Sequence, residues 1–215
     1  MSEKILYIGG TGEIVEKKSR FIASIEPVKT EEEARAFIAS VKKKYSDARH
    51  NCSAYVCGES GQITHCSDDG EPSGTAGRPM LDVLLNQNIK GICVVVTRYF
   101  GGVLLGTGGL VRAYQGAVIE GLNNCTVIEP AVGRKLEVIT DYSLYGKIDF
   151  MLKEAGITVL GTDFGADVTV SAIIPDDMVD TITTKINDVT SGNSLIDYSD
   201  SVNFAFTNKG EVIFL

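Results

Sequence analysis

Two short stretches hold most of the residues that could do chemistry. Residues 68 to 79 read DDGEPSGTAGRP, and residues 98 to 114 read RYFGGVLLGTGGLVRAY. In the first, Asp68, Asp69 and Glu71 crowd oxygen donors suited to a hard divalent cation or to acid–base work. Short acidic side chains also brace turns through local hydrogen bonds, which needs no ligand at all. Ser73 or Thr75 is placed to cap a following helix, leaving the N–H groups of Gly74, Thr75, Ala76 and Gly77 facing outward. Such a helix start attracts anions through its dipole and free donors. Arg78, just inside it, would add charge-assisted bonds to a phosphate or carboxylate.

The second stretch repeats that logic. Arg98, Tyr99 and Phe100 leave the end of a strand, and Gly101 and Gly102 turn the chain. Gly106, Gly108 and Gly109 then open a helix with Arg112 one turn inside. Neither common phosphate fingerprint is present: G-x-x-x-x-G-K-[ST] is missing, and Val111 stands where G-x-G-x-x-G needs its third glycine. Ser73 and Thr75 have no identifiable base partner, and His50 and His65 are the only histidines. No catalytic residue, metal site or cofactor is therefore assigned. Arg78, Arg98 and Arg112, with His50 and the glycine-rich backbone, read as a docking surface for phosphates or a partner's acids.

A zinc site from His50, Cys52, Cys57, His65 and Cys66 is conceivable by proximity. However, HNCSAYVCG alternates as a strand, which sends near neighbours to opposite faces. Five cysteines without CxxC spacing argue for reduced thiols.

The elements that must position these residues follow from patterning. SRFIASIEPV reads as the first strand. TEEEARAFIASVKKKY reads as a helix with Thr30 as N-cap, acids in its first turn and lysines in its last. NCSAYVCGE and QITHCS form a hairpin, and TAGRPMLDVLLNQN carries apolar residues at helical spacing. GICVVVTRYF is a β-branched run bounded by glycine, as for a strand buried on both faces. Gly108 to Asn124 reads as a helix. Residues 130 to 133 form a candidate linker, and the remainder reads βαββαβ, with Asp176 and Asp177 capping its second helix. A four-stranded sheet with two helices on one face is the natural solution.

The chain has 215 residues, 44% hydrophobic and 22% charged, ordinary values for a globular protein of about two modest domains. No apolar run approaches the roughly 20 residues of a membrane span. The opening MSEKILYIGG lacks the pattern of a secretory leader, so a cytoplasmic location is expected. The net charge of −8 is unevenly spread. Residues 1 to 131 hold 14 basic and 15 acidic side chains; residues 132 to 215 hold 6 and 13. A phosphate-binding patch is thus compatible with the first part, while the second would repel phosphate.

ARHNCSAYV, SDDGEPSGTAGRPMLDVL and VVVTRYFGGVLLGTGGLVRAYQGAV closely resemble the IMPACT family, in particular its bacterial YigZ/YvyE branch. The resemblance covers the whole chain: an IMPACT-type domain over residues 1 to 131, then a small acidic domain over residues 134 to 215. It implies an α+β protein. The first domain would be like α/β domains of ribosomal proteins and elongation factor G. The second would be ferredoxin-like, as in the carboxyl domain of that factor. Eukaryotic members are similar to translational regulators that act by binding proteins, relieving control by a starvation-responsive kinase. The motif positions here are His50, the run Asp68 to Gly77, Pro79, Arg98, Tyr99, Gly101, Gly102, Gly106, Gly108, Gly109, Arg112 and Tyr114. Members often carry a basic residue where this chain has Leu104, which removes one charge from the docking face.

The expectation is a non-enzymatic binding protein associated with translation or its regulation, contacting RNA, the ribosome or a protein partner. The alternative is a phosphate-ligand-binding or hydrolytic enzyme using Asp68, Asp69 and Glu71. Neither reading involves a membrane or a cofactor.

Overall fold

The computed structural model describes residues 3–215. The chain divides into two compact units, one running to Glu129 and including Thr207–Glu211, the other Pro130–Phe206 with Val212–Leu215.

In the first unit the elements are β1 (Lys4–Ile8), β2 (Gly10–Glu16), β3 (Ser19–Pro27), α1 (Glu31–Lys44), β4 (His50–Cys57), β5 (Ile63–Ser67), α2 (Gly77–Asn86), β6 (Ile89–Lys90), β7 (Ile92–Tyr99), α3 (Thr107–Asn123) and the start of β8 (Thr126–Thr140). Five of the strands form an antiparallel sheet in the order β2-β3-β7-β4-β5. Because side chains alternate along a strand, each strand feeds two faces. Phe21, Ala23 and Ile25 of β3 join Val94 and Val96 of β7 and pack with Met80, Leu84, Tyr114 and Ala117 from α2 and α3. On the other face, Tyr55, Cys57 and Cys93 pack with Ala34, Phe37 and Ile38 of α1. The central strand β7 is therefore buried on both sides, as its composition predicts.

Helix α1 starts as its sequence dictates. Thr30 Oγ1 accepts from Glu33 N at 3.2 Å, with acids in the first turn and Lys42, Lys43 and Lys44 in the last. Strand patterning in the sequence starts only at Ser19, and β1 and β2 carry no comparable signal. Positions 130 to 133, read as a linker, lie inside β8.

The second unit continues from β8 through α4 (Tyr142–Glu154), β9 (Thr158–Phe164), β10 (Val168–Pro175), α5 (Val179–Thr190), β11 (Leu195–Thr207) and β12 (Val212–Phe214). Its strand order β11-β8-β10-β9, with β10 antiparallel to both β8 and β9, is the ferredoxin-like arrangement. Leu136, Val138, Val170 and Ala172 bury against Ile148 and Leu152 of α4 and Ile182 and Ile186 of α5. Asp141 caps α4, accepting from Ser143 N at 2.8 Å and Leu144 N at 3.0 Å. Asp176 and Asp177 do not cap α5. They form a 3-10 turn ahead of it, and Asp176 instead takes Arg134 Nε at 3.2 Å. Among the described residues no helix is long and apolar enough to cross a membrane.

Candidate functional site

One end of the five-stranded sheet gathers both glycine-rich motifs. Register explains this: His50 pairs with Arg98 at the start of β4 and the end of β7, and Arg20 pairs with Tyr99. The turn Lys17–Lys18, the residues after β5, and the starts of α2 and α3 therefore all emerge there.

At α2 the helix start is already occupied. Asp68 Oδ2 accepts from Gly74 N at 2.8 Å, while Oδ1 accepts from Ala76 N at 3.0 Å and Gly77 N at 2.8 Å. Thr75 N turns back to the Pro72 carbonyl at 3.1 Å, and its hydroxyl does the same at 2.7 Å. The four N–H groups that the sequence suggested were outward-facing are thus all taken. Neither Ser73 nor Thr75 is the cap; a carboxylate several residues upstream does that work. Burial raises the pKa of Asp68, but the three backbone donors outweigh it and hold the carboxyl below its usual range. Arg78 does not join an anion site either, since its Nε is held by Asp82 at 2.8 Å one turn further on.

Glu71 and Arg98 form a buried pair, with Arg98 Nη1 donating to Glu71 Oε1 at 2.7 Å. The same oxygen accepts from Tyr114 Oη at 2.8 Å, and Cys52 Sγ lies 3.3 Å from that hydroxyl. Burial drives the Tyr114 phenol upward and pushes the Cys52 thiol up to about 12, so both stay protonated at neutral pH. This chain ties α3 to β4, β7 and the acidic turn. The Arg98 guanidinium lies near the rings of Phe21 (5.4 Å) and Phe100 (5.6 Å). Its Nε is buried without a partner among the described residues.

Asp69, at φ 43°, accepts from Lys42 Nζ at 2.6 Å and Asn51 N at 2.7 Å, one carboxylate oxygen each. Its carbonyl lies 2.9 Å from His50 Nδ1, a contact that puts the ring proton on that nitrogen. Tyr99 Oη donates to Asp47 at 2.8 Å. The five cysteines are free thiols, and the described residues contain no cluster of three or more potential metal ligands. Cys52 and Cys57 face opposite sides of the sheet, as strand alternation requires.

The start of α3 differs. Its N-cap Gly106, at φ 73°, makes no side-chain capping bond, and the first turn holds no acid. Gly108 and Gly109 lie in that first turn, and Arg112 is exposed beside it. The preceding loop is fixed rather than loose. Gly101 N donates to Ser19 Oγ at 3.1 Å, and a Cβ at Gly101 would lie 2.0 Å from the backbone carbon of Lys18. Gly102, at φ 83°, completes the turn. Phe100, Val103 and Leu104 are exposed, Leu104 by 83%.

Sequence reasoning missed Lys17, Lys18 and Arg49. All three are exposed here, and none makes an ion pair among the described residues. The only available signal was the KK pair itself, a two-residue hairpin turn with both residues at positive φ (45° and 70°). A cleft of about 670 Å³ opens beside Arg49, its lining including Asp47, His50, Arg98, Tyr99, Phe100 and Leu104 but neither lysine.

Comparison with known proteins fits this architecture. Residues 17–122 match the Impact N-terminal domain and residues 138–193 match the domain of unknown function DUF1949. The chain is 44% identical over 185 residues to the IMPACT family member YvyE of Bacillus subtilis (strain 168), spanning 86% of this chain and 85% of YvyE. The chain belongs to the IMPACT family. It is also 37% identical over 179 residues to the family member YigZ of Escherichia coli (strain K12), with 82% and 88% covered. A crystal structure of a hypothetical protein superposes with a TM-score of 0.56 at 36% identity, covering 91% of this chain and 97% of that one.

Proposed function

We propose that this chain is a non-enzymatic binding protein serving translation or its regulation, and that the cation-rich end of its first unit contacts RNA. One observation carries the reading. Lys17, Lys18, Arg49 and Arg112 are exposed and make no ion pair among the described residues, beside a helix start that no side chain caps. The neighbouring carboxylates, Glu16 aside, are engaged: Asp68 by backbone donors, Asp69 by Lys42, Glu71 by Arg98 and Asp47 by Tyr99. The four cations outnumber the exposed Glu16 and Asp47, and with open N–H groups and the exposed ring of Phe100 they suit a phosphate backbone with unstacked bases. The same engagement works against the hydrolytic alternative, which needs a carboxylate free to take or give a proton. Membership of the IMPACT family supports the link to translation.

The test is RNA affinity across a salt series for the wild type and for Lys17→Ala/Lys18→Ala/Arg112→Ala. Each lost phosphate contact should lower the salt slope by about 1 and weaken binding uniformly across sequences. Salt-independent binding, or an unchanged slope in the triple variant, counts against the reading.

A further inference from the structure

We infer that the cleft beside Arg98 seats a nucleoside 5′-phosphomonoester, the one at the 5′ end of an RNA strand. The inference rests on the RNA-contacting reading above and names the part of the RNA that enters. At about 670 Å³ the cleft falls within the roughly 300–1,000 Å³ of small-ligand sites.

Its lining holds a buried cation, Arg98. The Arg98 side chain is 8% exposed, and Glu71 takes only Nη1. Nε is buried and has no partner among the described residues. A buried donor left unsatisfied costs about 1–3 kcal/mol, and the guanidinium that carries it lines the cleft with Nη2 unpartnered among the described residues. An oxyanion at Nη2 would gain a charge-assisted bond, and a small side-chain shift uncovering Nε would make the contact side-on and bidentate, the geometry guanidinium offers to phosphate. Arg49 supplies a second cation at the rim, without an ion pair among the described residues, and Asp47, held by Tyr99, is the one carboxylate of the lining. His50 keeps Nε2 on the ring edge away from its Asp69 contact.

The rim also selects what the phosphate is attached to. Phe100 is 55% exposed and Leu104 83%, apolar surfaces on which a base can lie. Burial of Arg98 decides between an internal and a terminal phosphate. A phosphodiester carries a ribose on each side and runs past a surface. A phosphomonoester projects from one ester bond with three free oxygens and close to two negative charges at neutral pH. The projecting group reaches a guanidinium that is only 8% exposed.

Two 3′-labelled single-stranded RNA oligonucleotides of one sequence, with a 5′-monophosphate or a 5′-hydroxyl, test this by fluorescence anisotropy at fixed salt. The 5′-phosphorylated strand should bind roughly ten- to a hundredfold more tightly. Arg98→Lys keeps the charge but loses the fork, so the preference should collapse towards unity. Because Arg98 also braces Glu71, the rim variants Arg49→Ala and Phe100→Ala provide a second check. Each should shrink the preference without changing thermal stability. A nucleoside monophosphate should compete for the seat and the bare nucleoside should not.

Equal affinity for the two strands overturns the seat while leaving RNA contact standing. If neither strand binds, the RNA reading falls and mononucleotide titration decides the cleft. Binding that Arg49→Ala abolishes would then make a free mononucleotide its occupant, and no binding would overturn it.

Discussion

The starts of α2 and α3 look alike in sequence, each glycine-rich, each following a strand, each with an arginine just inside. They meet opposite fates. Helix α2 receives an anion from its own chain, Asp68, on three backbone donors, and Arg78 turns aside to Asp82. Helix α3 receives none from the described residues, among which the exposed Arg112 has no acid partner. Every helix start favours an anion; whether that preference is available to a ligand depends on what the chain itself puts there. The first motif is thus a closed, self-neutralised support, and the second is the open half it supports.

The largest effect should come from breaking the support. Glu71→Leu or Arg98→Met removes one partner and leaves the other's charge buried and unpaired, at a cost of about 3–5 kcal/mol in denaturant unfolding. A loss below 1 kcal/mol would mean that the pair does not hold the two motifs together.

Smaller, and pH-dependent, is the cap. Asp68→Asn should cost about 2 kcal/mol at neutral pH. The folded-state pKa of Asp68 lies below its ordinary value. Its contribution is therefore fully present above the unfolded-state pKa, near 4, and is lost as pH falls through the folded-state value. The stability gap between wild type and Asp68→Asn should narrow below pH 4 and stay constant between pH 5 and 8. A gap that widens on acidification would contradict the assignment.

The smallest change sharpens the comparison by making α3 resemble α2. Gly108→Asp places an acid in the uncapped first turn, where a Cβ meets only Arg112 Nη1 at 3.6 Å, an ordinary contact. Stability should rise by about 0.3–1 kcal/mol while RNA binding weakens. A variant that is more stable and binds RNA undiminished would show that the open start is not part of the contact face.

Local patterning made much of the fold legible. Thr30 and the charge order of α1, the β-branched run of β7 and the alternation in β8 and β10 each carry their signal within a few residues. The short β1 and β2 do not, because GTGEIVE lacks the apolar alternation of a packed strand. The site was half legible. Residue types singled out side chains that the fold gathers at one end of the sheet, but Asp68 reaches six to nine residues ahead, and Glu71 meets Arg98 and Tyr114 across 27 and 43 residues. Periodicity has no access to such pairings, so the acids read as available when they are engaged. Lys17 and Lys18 escaped for the opposite reason, being ordinary residues made relevant only by register.

Gly101 fixes the shape that this end would offer a partner. With no space for even a methyl group between it and Lys18, the hairpin turn and the arginine loop are keyed into one another like tongue and groove. Lysines and loop therefore present themselves as a finished mould, and a partner is not asked to organise them. Association should accordingly be quick, limited by diffusion and charge attraction, with little ordering entropy to overcome.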